Sequence, residues 1–223
     1  MSCSIHDSVA RAYTDAVAGR GGCCATGESK GVPSFGCGDP LALADVRPGQ
    51  TVLDLGSGAG HDLLLAADAV GPTGRVIGVD MTDAMLEAAR RHCAGRPNIE
   101  LRKGFIESLP VDDASVDWVI SNCVINLSPG KERVYREIRR VLKPDGRFSI
   151  SDIVGRNLPA SLKADQAAWN ACVAGAIPEE EYVAGLRSAG LIDVEVADRR
   201  PYECGPKAPG MEVASARITG RRP

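Results

Sequence analysis

The sequence predicts an α/β fold: a mostly parallel, seven-stranded sheet with helices on both faces. Three observations carry this. From residue 51 onward, short apolar runs alternate with longer segments of helical periodicity. Runs such as RVIGV and WVIS are apolar almost throughout, which suits strands covered on both faces. The first run, TVLDLG, ends in a glycine-rich turn that opens a helix. In such folds the connections are right-handed, and ligands sit beyond the carboxyl ends of the strands.

Each element has its own signal. Residues 1–20 predict a helix, with Val9, Ala12, Tyr13, Ala16 and Val17 on one face. Residues 19–40, GRGGCCATGESKGVPSFGCGDP, are rich in Gly, Ser and Pro and read as a loop or mobile cap. TVLDLG is a strand, DLLLAADAVG a helix closed by Gly71, and RVIGVD a second strand. Thr82 is placed to cap the helix TDAMLEAARRHCAG. IELRKG and SVDWVISN are further strands. KERVYREIRRVLKPDG is an amphipathic helix, with Val134, Ile138, Val141 and Leu142 at helical spacing and Lys143 near its C-terminus. RFSISDIV is a strand, 158–173 and EEEYVAGLRSAG are helical, and DVEVAD and MEVASARITG are the last two strands. The chain thus divides into an N-terminal helix and cysteine-bearing cap over 1–45, a ligand-binding core over 46–155, and cap helices with final strands over 156–223 completing the same domain.

Composition narrows the function. The 223 residues carry a formal charge of −3, which excludes electrostatic nucleic-acid binding as the default. A chain of this length buries roughly 70% of its unfolded surface and needs no staples. With 2 Trp, 4 Tyr and 3 Phe, the core must be mostly Val, Leu, Ile and Ala. No apolar stretch approaches the ~18 residues of a membrane span, since LLLAADAV is cut by Asp68. MSCSIHDSVAR has no apolar signal region, so the expected setting is cytoplasmic, where disulfides are rare. The eight cysteines, at 3, 23, 24, 37, 93, 123, 172 and 204, therefore stand out. A single buried cysteine is most simply a small hydrophobe. That reading weakens for cysteines beside Gly, Asn or Pro in loops.

The turn Asp54-Leu55-Gly56-Ser57-Gly58-Ala59-Gly60 brings bare backbone toward a ligand. A dinucleotide pattern would need glycine at His61, and no P-loop lysine is present. Asp80 ends the next strand, where a carboxylate accepts hydrogen bonds from ribose hydroxyls; it also complements a helix dipole. Ile106 and Glu107 follow the third strand, where an adenine edge would lie. A nucleoside without a diphosphate on such a turn points to S-adenosylmethionine.

On these motifs the chain resembles the class I S-adenosylmethionine-dependent methyltransferases, which have a Rossmann-like fold. The resemblance spans about residues 48–155, through VLDLGSGAG, GVD at 78–80, IESLP and RVLKPDGR. It implies that Asp54, Gly56, Ser57 and Gly58 hold the methionine portion, that Asp80 binds ribose and that Met81 packs on adenine. Ile106, Glu107 and Asn122 are further expected contacts.

The cysteines bear on the substrate. Cys37 lies in FGCGDP before the first strand, Cys123 in SNCVINLSP at the end of the fourth, and Cys172 in WNACVAGA. The fourth strand ends at the mouth of the site in this topology, and the other two segments are placed to cap it. Three converging thiolates suit a soft, thiophilic ion. Zinc motifs favour paired C-x₂₋₄-C spacings, which are absent. The three histidines, His6, His61 and His92, stand in unrelated contexts.

These segments resemble the arsenite S-adenosylmethionine methyltransferase family, over about residues 20–180. The resemblance implies transfer of the sulfonium methyl to trivalent arsenic, as arsenite or methylarsenite, held by Cys37, Cys123 and Cys172. It also implies a thiol reductant, thioredoxin or glutathione, as co-substrate, with Cys23 or Cys24 as an exchanging thiol. Two other readings compete. An organic methyl acceptor, such as a quinone or sterol precursor, fits the core motifs but not the cysteines. A thiol protein that sequesters arsenic fits the cysteines but leaves the cofactor motifs idle.

Overall fold

A computed structural model describes residues 5–19, 27–29, 32–34, 36–42, 44–202 and 208–223. Cys3, Cys23, Cys24 and Cys204 fall outside the described residues.

The N-terminal helix α1 spans Ile5–Val17. It is followed by a short antiparallel hairpin, β1 (Gly27–Ser29) and β2 (Val32–Ser34). The sequence reads this region as loop, because three-residue strands are too short to show a two-residue period. The alternating core then runs β3 (Thr51–Leu55), α2 (His61–Val70), β4 (Arg75–Asp80), α3 (Asp83–His92), β5 (Ile99–Lys103) and β6 (Val116–Asn122). A single 3₁₀ turn at Ile125–Leu127 leads to α4 (Lys131–Val141) and β7 (Leu142–Arg156). Two short helices, α5 (Ala160–Lys163) and α6 (Gln166–Asn170), precede α7 (Glu179–Ser188), β8 (Ile192–Pro201) and β9 (Glu212–Arg221).

Among the described residues the main sheet has seven strands in the order β5-β4-β3-β6-β7-β9-β8. The first five are parallel, and β9 and β8 close the sheet antiparallel. Alternate residues go to opposite faces. Leu53, Ile77, Val119 and Phe148 join α4 and α7 in one core. Val52, Val76, Trp118 and Ile120 join α2 and α3 in the other. Each fully buried side chain of this size stabilises by roughly 1.5–3 kcal/mol.

Four local expectations are corrected. The helix from Lys131 stops at Val141, and KPDG forms a bulge instead of a last helical turn. Val116 pairs with Leu142 but Trp118 pairs with Arg147, so the extra residues loop out, with Asp145 at φ 59°. Lys143 bonds both oxygens of Asp117 at 2.9 Å and does not complement a helix end. Residues 158–173 hold two short helices, the second capped by Asp165, which accepts the Ala167 N–H. Thr82 stands at the start of α3 but makes no side-chain cap bond; its backbone N–H donates to Asp80 Oδ1.

Candidate active site

The glycine-rich turn is built by the end of β3. The N–H groups of Gly56 and Ser57 both donate to the Val79 carbonyl, at 2.8 and 3.0 Å. This pulls the turn across the carboxyl end of β4. Gly56, Gly58 and Gly60 all have positive φ, a region that other residues enter at a cost. Asp80 braces the turn: Oδ2 accepts the Gly58 N–H at 3.0 Å and Oδ1 the Thr82 N–H at 2.8 Å. From below, His92 Nδ1–H donates to the Ala59 carbonyl at 2.8 Å. Cys93 is buried beside Gly60, where a Cβ would lie 2.9 Å from its sulfur.

The turn forms one wall of a cleft also lined by Met81, Ile106, Glu107, Asn122 and Cys123. Three aspartates, Asp54, Asp62 and Asp80, reach the same cleft. Burial pushes all three pKa values up. At Asp54 the neighbouring Asp62 and Asp80 charges push further in the same direction. Such a concentration of buried negative charge is relieved by a cationic guest. Ser57 Oγ and His61 Nδ1 also line the cleft, buried and without a hydrogen-bond partner. Bare glycine backbone, a cluster of buried carboxylates and two orphaned polar atoms fit the sulfonium and amino-acid end of S-adenosylmethionine. Asp80 and Met81 stand at the next strand end, where its nucleoside would lie.

Two expected contacts are engaged within the protein. Glu107 Oε1 bonds Ser128 Oγ at 2.5 Å and His6 Nε2 at 3.0 Å. This fastens α1 over the cleft, whose lining includes His6, Val9 and Tyr13. Asn122 Oδ1 accepts the N–H groups of Cys37 and Gly38, at 3.0 and 3.2 Å. Its Nδ2 donates to the Gly38 carbonyl at 2.9 Å and to Asp62 Oδ2 at 3.0 Å. Asn122 therefore ties the Cys37 loop to the sheet.

Cys37 and Cys123 are paired as a disulfide, with Cα atoms 5.9 Å apart. Cys172 is buried, and its thiol donates to the Cys123 carbonyl at 2.7 Å. Three segments far apart in sequence thus meet at one point, beside the cleft that Cys123 lines. Cys123 and Cys172 have φ of 57° and 63°, left-handed conformations uncommon for residues other than glycine. Strain of this kind persists only where the surroundings hold it.

Sequence reasoning missed the part played by α1. Nothing in its amphipathic pattern says that it closes this cleft. It also read the histidines as unrelated, whereas His6 and His61 both reach the cleft.

Residues 47–195 match the family described as a methyltransferase domain. An arsenite methyltransferase of Halobacterium salinarum is 50% identical over 168 residues, covering 74% of this chain and 43% of that protein. One from Aquipseudomonas alcaligenes is 37% identical over 194 residues, covering 82% of this chain and 56% of that protein. The chain thus spans about half the length of the curated relatives it matches. The crystal structure of an arsenic(III) S-adenosylmethionine methyltransferase from Chlamydomonas reinhardtii superposes with a TM-score of 0.76 at 33% identity, over 95% of this chain and 72% of that one. With its Rossmann-like class I fold and its match over residues 47–195, the chain belongs to the methyltransferase domain family.

Proposed function

We propose that this chain is an S-adenosylmethionine-dependent arsenite methyltransferase. One observation carries the reading: Cys123 opens into the cleft of the glycine-rich turn and is bonded to Cys37, with Cys172 against its carbonyl. An organic acceptor gives no reason for three cysteines at that point. Relatives named as arsenite methyltransferases support the same reading.

S-adenosylmethionine, when bound, supplies an electrophilic methyl on a positively charged sulfur. Gly56, Ser57 and Gly58 hold its methionine portion, Asp54 and Asp62 offset its positive charge, Asp80 takes the ribose, and Met81 and Ile106 flank the adenine. Reduced Cys37, Cys123 and Cys172 replace the three hydroxides of arsenite, and the displaced groups leave as water with the thiol protons. Arsenic(III) keeps a lone pair, which is the nucleophile, so no general base is required; its attack on the methyl carbon releases S-adenosylhomocysteine and leaves arsenic two electrons more oxidised, a change that two of the cysteine thiolates reverse by forming a disulfide. The chain's main task is orientation, worth roughly 7–11 kcal/mol in favourable cases. The Cys37–Cys123 disulfide must be opened by two electrons from an external dithiol or two glutathiones before arsenic binds. Thioredoxin or glutathione fits that role, with Cys23 or Cys24, outside the described residues, as the exchanging thiol. A reducing cytoplasm is the setting that keeps these thiols available. Among the described residues no helix is long and apolar enough to cross a membrane.

The test is mass spectrometry of the reduced chain incubated with arsenite, S-adenosylmethionine and thiol. Methylated arsenic is expected from the unsubstituted chain and none from Cys123→Ser or Cys172→Ser, which keep their affinity for S-adenosylhomocysteine. Arsenite turnover by Cys123→Ser at the parent rate overturns the site. Tight arsenite binding with the methyl donor unconsumed points instead to sequestration.

A further inference from the structure

Behind the cysteines lies a buried polar group that the cleft does not contain. Asp152, on β7, is 0% exposed. Its Oδ2 accepts the Asn126 N–H at 3.1 Å and the Tyr182 hydroxyl at 3.2 Å, and its Oδ1 accepts the Ile153 N–H at 2.9 Å. Asn126 Nδ2 in turn donates to the Ile153 carbonyl at 2.6 Å. One residue earlier on β7, the Ser151 carbonyl accepts the Cys123 N–H at 2.8 Å. The turn that carries Cys123 is therefore bonded to β7 at both of its ends.

The turn that carries Cys172 rests on the first. A Cβ on Gly175 would lie 2.0 Å from the Asn126 carbonyl oxygen, so only glycine allows this approach. Trp169 Nε1–H donates to the Leu127 carbonyl at 3.3 Å, and the Cys172 thiol to that of Cys123 at 2.7 Å. Three contacts thus seat the Cys172 segment on the carbonyl edge of residues 123–127. A carboxylate buried beside an apolar core is costly, and apolar packing of the same volume is often as stable. One of its bonds here goes to Asn126, in the turn that bears on the spacing of two strained cysteines, and the others, from Ile153 and Tyr182, hold the carboxylate in place.

We propose that Asp152 is a positioning residue for the substrate, holding Cys123 and Cys172 at arsenic-binding spacing through Asn126, with Tyr182 orienting the carboxylate. This rests on the arsenic reading above. Asp152 is not among the residues lining the cleft; it acts on the cysteines as outer partners act on metal ligands.

The experiment uses the reduced full chain with arsenite alone, comparing the parent with Asp152→Asn and Tyr182→Phe. X-ray absorption at the arsenic edge counts bound sulfurs. Calorimetry gives affinity for arsenite and, separately, for S-adenosylhomocysteine. In Asp152→Asn, arsenite affinity is expected to fall roughly 10–100-fold, the loss typical of outer-partner changes, and one arsenic–sulfur contact to be lost. S-adenosylhomocysteine affinity stays within about twofold, and Tyr182→Phe falls between parent and Asp152→Asn. Should Asp152→Asn not fold, the split in Tyr182→Phe decides. Three sulfurs and parent-like arsenite affinity in the folded variants overturn the proposal. So does a parallel loss of both affinities, which marks a general structural role. Absence of arsenic–sulfur contacts in the parent overturns the arsenic site itself, and the proposal with it.

Discussion

Gly56→Ala tests how tightly the glycine-rich turn is locked to the cysteine segment. Gly56 has φ of 65°, and an added Cβ would lie 2.4 Å from Val124 Cγ2 and 2.7 Å from Val124 Cβ. The left-handed backbone costs an L-residue roughly 1–2 kcal/mol. Overpacking against Val124 costs roughly another 1–3 kcal/mol. The single substitution should therefore destabilise by about 2–5 kcal/mol. Val124 is only partly buried, so Val124→Ala alone should cost about 1 kcal/mol. In the double variant the overpacking is relieved while the backbone cost stays. Its loss should then be smaller than the sum of the singles by about 1–3 kcal/mol. Urea unfolding of all four proteins, analysed with a common slope, gives each value. Additivity within about 0.5 kcal/mol would show that the two residues do not meet as described, and the reasoning fails.

Three further outcomes follow from the same geometry. Burial, partly offset by the Ile153 N–H and the Lys131 charge, pushes Asp152 up to about 6. Against an unfolded value near 4, the folded state binds the extra proton between about pH 4 and 6. Parent stability should therefore drop across that window relative to Asp152→Asn, by about 3 kcal/mol at roughly 1.4 kcal/mol per pH unit, and stay level above it; a pH-independent difference in urea unfolding contradicts this. Asp80→Ala removes the acceptor of the Gly58 and Thr82 N–H groups and of the proposed ribose, so calorimetry should show S-adenosylhomocysteine binding weaker by roughly 1.5–3 kcal/mol. Asn122→Ala releases the Cys37 and Gly38 N–H groups and the Gly38 carbonyl, at about 1 kcal/mol each. Air oxidation of the reduced chain should then form the Cys37–Cys123 disulfide at least about tenfold more slowly, and an unchanged rate would show that Asn122 does not hold the loop.

Much of the cofactor side is legible because it is nearly contiguous. Leu55, Gly56 and Asp80 lie on neighbouring strand ends, and strand, turn and helix each leave a local signature. Cys123 is equally legible, since it directly follows a long apolar strand. The arrangement around Cys37 is not. Its loop is held by Asn122, 85 residues away, through side-chain bonds that leave no period in the sequence. Glu107 reads as an adenine-edge residue, yet its carboxylate also holds His6 of α1. KPDG reads in the sequence as the last turn of the preceding helix, yet that helix ends at Val141 and the sheet draws those residues into a bulge.

The strand–helix alternation, the glycine turn with its acidic partner, and the settings of Cys37, Cys123 and Cys172 at strand and helix ends are all written locally along the chain. These depend on local backbone preference and on the two- and 3.6-residue periods of burial. The pairing of Cys37 with Cys123, the seat of Cys172 on the Cys123 carbonyl and the closing of the cleft by α1 arise only when the chain is folded. So does the place of Asp152 beneath the cysteine turns. Burial patterns state how deep a residue sits, not which distant segment covers it. Hydrogen bonds between remote segments, and the one glycine that lets two turns touch, settle that.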